Sequence, residues 1–101
     1  MLKMWGKLVL LGGLTLAGCA APAPVEEYNI ARTAIQAAQA EGAPRMAAAF
    51  WIKAEDHYRK GQKYYSESDF GRAREQFDLA RQYAERAENA TRLRKLQSGD
   101  F

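Results

Sequence analysis

The stretch GQKYYSESDFGRAREQFDLARQYAERA, residues 61–87, joins the end of one helical pattern to most of another. Between the two patterns lies Ser66-Glu67-Ser68-Asp69, where Ser68 or Asp69 can cap the following helix by accepting hydrogen bonds from its free N–H groups. A break this short between two long helices places them side by side in opposite directions. The stretch therefore predicts an antiparallel helical hairpin.

The helix after the break is predicted over about residues 69–96. Its apolar positions recur in alternating steps of three and four, which is the spacing of a helix that packs along one face. Most of these positions are alanine, and small side chains let helix axes approach closely. The face comprises Phe70, Ala73, Phe77, Ala80, Ala84, Ala87 and Thr91.

Two further helices are predicted before the break, over about residues 26–40 and 44–65, separated by Gly42 and Pro44. The later helix has a buried stripe of Ala47, Trp51, Ala54, Tyr58, Gly61 and Tyr65. The earlier helix has a stripe of Tyr28, Ala31, Ile35 and Ala38, widened by Ile30, Ala34 and Ala37. Because no segment alternates with the period of a strand, we predict an all-α fold in which one shorter helix precedes the hairpin.

The N-terminal segment has the composition of a secretion signal. Lys3 and Lys7 flank the start of an apolar run over residues 8–16, which is too short to span a bilayer. The run ends in Leu16-Ala17-Gly18-Cys19, which closely resembles the lipobox of bacterial lipoproteins.

This resemblance implies that the lipoprotein signal peptidase recognises Leu16, Ala17 and Gly18. It also implies that Cys19 carries a diacylglycerol and an N-acyl lipid such as palmitate, and no other cofactor is expected. Ala20 follows the cysteine, and by analogy with Gram-negative lipoproteins this residue implies an outer-membrane anchor facing the periplasm.

The predicted organisation is a lipoprotein signal peptide over residues 1–18, a lipidated tether over 19–25, a helical domain over 26–97 and a frayed C-terminus over 98–101. Removing the signal peptide lowers the formal net charge from +3 to roughly +1. So small a charge gives no reason to expect a nucleic-acid partner.

Two resemblances meet in the helical part. One is to the turn of a tetratricopeptide unit, which implies a tetratricopeptide-like hairpin and rests on Gly61, Tyr65, Asp69-Phe70, Ala73, Phe77 and Ala80. The longer one is to a bacterial lipoprotein family, domain of unknown function 4398. It rests on Ala31, Ile35, Ala38, Gly42-Ala43, Ala54-Glu55, Tyr65, Asp69-Phe70, Ala73, Phe77, Ala80, Ala84-Glu85 and Ala87. This second resemblance implies an anchored helical domain and implies no activity.

Side chains suited to catalysis are scarce. His57 is the single histidine and Cys19 the single cysteine, and the sequence lacks a nucleophile–base–acid order and a phosphate-binding glycine loop. A lone histidine is more typical of the surface or the boundary of a helix than of a site. We therefore expect a protein that is not an enzyme and has neither a metal site nor a small-molecule substrate.

Aromatic residues supply the candidate partner surface. Phe50, Tyr64 and Tyr65 are predicted to contact a partner, since the first two lie beside the buried stripe. The expected function is that of a non-catalytic adaptor or structural component of an envelope assembly, acting through the helical hairpin. The alternative is self-assembly, in which the alanine face of residues 70–91 pairs between chains as a coiled coil.

Overall fold

The structure, a computed structural model, describes residues 22–99, and these residues form four helices and no strand. The helices are α1 (Val25–Glu41), α2 (Ala43–Met46), α3 (Ala48–Ser66) and α4 (Phe70–Ser98). The predicted all-α class is confirmed for this part of the chain. None of these four helices has both the length and the apolar composition needed to cross a bilayer. The signal peptide, Leu16, Ala17, Gly18 and the lipidation site Cys19 lie outside the described residues.

The predicted second helix is divided in the structure. It starts at Ala43, one residue before Pro44, and is interrupted at Ala47, whose φ of −137° and ψ of 51° are not helical. Ala43 before the interruption and Trp51 after it belong to the same buried core. Alanine is the best helix former, so nothing in the sequence marked this position.

Gly42 ends α1 and Asp69 caps the start of α4 at the positions that the sequence predicted. Gly42 has a φ of 99°, a left-handed conformation that ends α1. Of the two candidate caps before α4, Asp69 is the one used, because its carboxylate accepts a hydrogen bond from the Arg72 N–H at 3.3 Å. Ser98, predicted to be frayed, is the last residue of α4, and Gly99 closes that helix. Residues 100–101 lie outside the described part.

Helix α4 runs through the centre of the fold. Its contacts with α3 pair Tyr65 with Phe70, Gly61 with Phe77 and Met46, just before α3, with Arg94, so the two helices run antiparallel. Its contacts with α1 pair Glu27 with Arg74 and Glu41 with Lys95, so these two run parallel.

Because α4 is covered by both α1 and α3, nearly all of its predicted apolar face is fully buried. The buried positions are Ala73, Phe77, Ala80, Ala84, Ala87 and Thr91. Thr91 satisfies its hydroxyl by donating to the Ala87 carbonyl at 2.8 Å. The face proposed for pairing between chains is therefore occupied within one chain.

The predicted tether is partly built into the fold. Pro24 is fully buried, and the Pro22 carbonyl accepts a hydrogen bond from Arg74 Nη2 at 3.1 Å. Val25, which the sequence placed in the tether, is the first residue of α1. The chain is thus held against α4 from residue 22 onward.

Candidate functional surfaces

Five aromatic rings gather where α1 begins and α3 turns into α4. We call Tyr28, Tyr58, Tyr65, Phe70 and Phe77 the tyrosine cluster. Tyr28 stacks on Tyr58 with ring centroids 5.9 Å apart, and Phe77 meets Tyr28 edge-on at 5.3 Å. Gly61 makes room for this arrangement, since a Cβ there would lie 2.6 Å from the Phe77 ring.

The tyrosine cluster keeps the Tyr58 hydroxyl protonated. Burial raises the pKa of Tyr58 to about 12, and the neighbouring Tyr28 hydroxyl adds to the effect. The Tyr58 hydroxyl is therefore protonated and neutral at any physiological pH. The cluster holds three helices together through apolar and ring–ring contacts.

A cleft of about 430 Å³ opens beside the tyrosine cluster. Its lining includes Val25, Tyr28, Asn29, Gln62, Tyr65 and Ser66. Tyr65, one of the predicted contact residues, is half-buried here and gives part of its ring to the core. Tyr64 is also half-buried, and the Arg72 guanidinium lies 5.7 Å from its ring centre. Both tyrosine side chains thus pack partly against the core and remain partly exposed at the surface.

The third predicted contact residue lies at the other end of α3. Phe50 is 37% exposed and borders a groove of about 390 Å³, which we call the Phe50 groove. The groove is lined by Met46, Ala47, Ala48, Ala49, Phe50, Ala90, Leu93 and Arg94. Arg94 Nη1 donates to the Met46 carbonyl at 2.5 Å and so holds α2 against α4.

The structure places Phe50 far from the other two predicted contact residues, Tyr64 and Tyr65. Phe50 and Tyr64 are 14 positions apart on α3, which amounts to about 21 Å of helix. Phe50 therefore lies on a different part of the surface of α3 from Tyr64 and Tyr65. Leu93, which the sequence pattern did not single out, is 56% exposed beside Phe50 and extends that surface onto α4.

A shallow groove of about 740 Å³ follows the outer side of α1. It is lined by Val25, Glu26, Asn29, Ile30, Thr33, Ala34, Ala37, Arg81 and Glu85. The helical periodicity assigned Ile30, Ala34 and Ala37 to a widened buried stripe, yet Ile30 is 45% exposed. The stripe is narrower than predicted because α1 packs mainly on one helix, α4.

The lone histidine belongs to a cluster that joins α3 to α4. His57 stacks on Tyr83 with ring centroids 5.4 Å apart, and its Nδ1 lies 2.7 Å from Gln76 Oε1. The Tyr83 ring is also approached by Lys53 Nζ at 5.4 Å and by the Arg86 guanidinium at 5.1 Å. We call Lys53, His57 and Arg86 the basic cluster.

His57 was predicted at the surface or the boundary of a helix, and it is half-buried on α3, but these neighbours were not predicted. Lys53 and His57 are one helical turn apart, which was visible in the sequence, whereas the pairing with Tyr83 required the register between α3 and α4. Within residues 22–99, no three His, Cys, Asp or Glu side chains are placed to hold a metal ion.

The comparisons with known proteins bear on the family of the chain. No curated protein and no solved structure matches it. The family model described as domain of unknown function (DUF4398) matches residues 26–99, which include almost all of the four helices. The chain therefore belongs to the DUF4398 family.

Proposed function

We propose that the protein is a lipid-anchored lipoprotein of the outer membrane, facing the periplasm, that acts as a non-catalytic adaptor. Cys19 carries the lipid, and Leu16-Ala17-Gly18 directs signal peptidase to it. The antiparallel contacts of α3 and α4 favour the tetratricopeptide-like interpretation of the hairpin, a unit that commonly displays a surface to other proteins.

The short tether gives this adaptor an orientation. Pro24 is buried five residues after Cys19, and that length of chain reaches at most about 18 Å. The end of the fold with the tyrosine cluster is therefore held near the membrane. The Phe50 groove lies at the opposite end of α1, about 25 Å away along a helix of 17 residues.

The observation that carries the proposal is the exposed apolar groove at this far end. Phe50 and Leu93 border it from two different helices, and Arg94 and the exposed Arg45 place positive charge nearby. These features suit an amphipathic helix of another envelope protein, with an apolar face in the groove and acidic side chains beside it. Tyr64 and Tyr65 remain candidate contacts for a second segment near the membrane.

The test is crosslinking in living cells with the full, lipidated chain, followed by mass spectrometry of the captured proteins. We expect one envelope protein to be captured by the wild type and lost in the double variant Phe50→Ala, Leu93→Ala. Ile52→Ala is the matched control, because Ile52 is 61% exposed on α3 and does not line the groove. Unchanged capture by the double variant would show that the groove is not the contact.

The anchor is tested separately. Cells grown with labelled palmitate should label the wild type and not Cys19→Ser. Label on Cys19→Ser would exclude this residue as the lipidation site. A soluble but correctly folded Cys19→Ser chain would still show whether the groove binds its partner.

The second candidate is self-association in a structural envelope role. The alanine face of α4 is covered by α1 and α3, so copies would meet through the α1 groove instead, where Val25 and Ile30 are exposed. Light scattering would then give a dimer or larger particle for the wild type and a monomer for Ile30→Glu. A wild-type monomer at high concentration would exclude this candidate.

A further inference from the structure

The basic cluster concentrates positive charge on one aromatic ring. Lys53 from α3 and Arg86 from α4 each lie within 5.4 Å of the Tyr83 ring centre, and His57 stacks on the same ring. A ring face attracts cations, and the charged groups of Lys53 and Arg86 both approach the Tyr83 ring. Two separate helices build this arrangement, which makes it a property of the fold.

No carboxylate neutralises these cations within the described residues. Lys53 and Arg86 form no ion pair in residues 22–99, whereas several other cationic side chains there do. The paired cations are Lys60, Arg72, Arg74, Arg81, Arg92 and Lys95. The basic cluster therefore keeps its positive charge free for an outside group.

The remaining groups beside the cluster do not change this balance. Asp56 adjoins His57, but its carboxylate is paired with Lys60 at 3.0 Å. From α4 the neighbouring group is the neutral amide of Gln76, whose oxygen is hydrogen-bonded to His57 Nδ1. The other ring nitrogen of His57, Nε2, has no hydrogen-bond partner within the described part of the chain.

We propose that the basic cluster binds the phosphate group of an anionic ligand. A phosphate oxygen can receive hydrogen bonds from the planar guanidinium of Arg86 and from the ammonium group of Lys53. Its negative charge offsets the repulsion between the two cations. A phosphate offers more acceptor oxygens and more charge than a carboxylate, which suits two donors that reach the same ring from different helices. His57 supplies a third polar group at the edge of the same ring.

Two sources present this chemistry to an anchored protein, a soluble phosphate and the phosphodiester of an anionic lipid headgroup. The second source requires the helices to lie along the membrane, because Lys53 is only three positions from Phe50 at the end away from the tether. The experiment uses the full lipidated chain in nanodiscs of neutral phosphatidylcholine and follows the NMR signals of the His57 and Tyr83 rings. One arm adds inorganic phosphate against sodium chloride of equal ionic strength. The other arm replaces part of the lipid with phosphatidylglycerol.

A saturable shift of both rings is expected in at least one arm, and the arm identifies the source. The double variant Lys53→Gln, Arg86→Gln should weaken binding at least about tenfold. The matched control is Arg59→Gln, Lys63→Gln, which removes the same charge from exposed positions on α3 outside the cluster. Control binding should remain within about twofold of the wild type.

Three results would overturn the proposal. One is the absence of ring shifts in both arms. Another is an equal loss of binding in the control variant, which would show general attraction to positive charge. The third is an equal shift of both ring signals when sodium acetate is added in place of inorganic phosphate, which would show that the cluster does not select phosphate.

Discussion

The two ends of the helical bundle each have a buried core, but the side chains that form the two cores differ in size. At the end near the tether, the core around Ala31, Ala73 and Ala80 is filled by Phe77 and bordered by tyrosine rings. At the other end, the core consists of five alanines and the nearly buried Trp51. Large side chains fill the core near the tether, whereas the core at the other end is closed because the helices approach each other closely.

The ion pairs at the two ends also differ. The alanine end is bordered by Glu41, which meets Lys95 Nζ at 3.2 Å and lies 3.7 Å from Arg92 Nε. Among residues 22–99, the tyrosine end has one ion pair between helices, Glu27 with Arg74 at 3.1 Å. All of these side chains are partly exposed, so we attribute the stability of both ends chiefly to packing.

The comparison predicts that the largest loss of stability comes from the tyrosine end. Phe77→Ala removes the largest fully buried side chain of residues 22–99 and should lower the free energy of unfolding by about 3–5 kcal/mol. Urea denaturation followed by circular dichroism measures this loss. The matched control Phe50→Ala, at an exposed phenylalanine, should cost no more than about 1 kcal/mol. Equal losses would mean that Phe77 is not the centre of this end.

A smaller effect is expected from filling the space under the Phe77 ring. Gly61→Ala places a Cβ 2.6 Å from that ring and should lower the free energy of unfolding by about 1–3 kcal/mol. Gly71→Ala is the control, because nothing lies within 4 Å of the position its methyl group would take and alanine favours a helix. Thermal unfolding distinguishes the two. A neutral Gly61→Ala would show that the helices can separate at little cost.

The tyrosine end should also respond to alkali. Because the pKa of Tyr58 is raised from 10.0 to about 12 in the folded chain, its contribution to stability is complete below about pH 10. That contribution is lost as the pH rises toward about 12, since the unfolded chain loses its proton more readily. Tyr58→Phe should therefore lose less stability than the wild type between about pH 10 and about pH 12. Identical pH profiles would contradict the burial of this hydroxyl.

The smallest effect should come from the charges at the alanine end. Glu41→Gln removes the carboxylate from Lys95 and Arg92 and should lower the free energy of unfolding by less than about 1 kcal/mol. The loss should shrink further in concentrated salt, which screens charges that are partly exposed. Chemical denaturation at low and high salt measures both. A loss of several kcal/mol would mean that this end is held by its ion pairs and not by its alanines.

The sequence by itself determined the helices and most of their ends. Helical periodicity identified the buried face of α4, and the special backbone of Gly42 and the capping carboxylate of Asp69 marked where helices stop or start. These features are local, so neighbouring residues are enough to reveal them. The same residues carried the resemblance to the DUF4398 family, which the family match confirms.

Only the tertiary structure decided how the helical faces are used. The break at Ala47 and the exposure of Ile30 depend on which helix lies against which. The basic cluster depends on the register of α3 against α4, because Tyr83 meets His57 across 26 positions of chain. Helical periodicity indicates that a face is apolar. Whether that face is covered depends on the helices packed against it, so the exposed surfaces could be identified only in the folded structure.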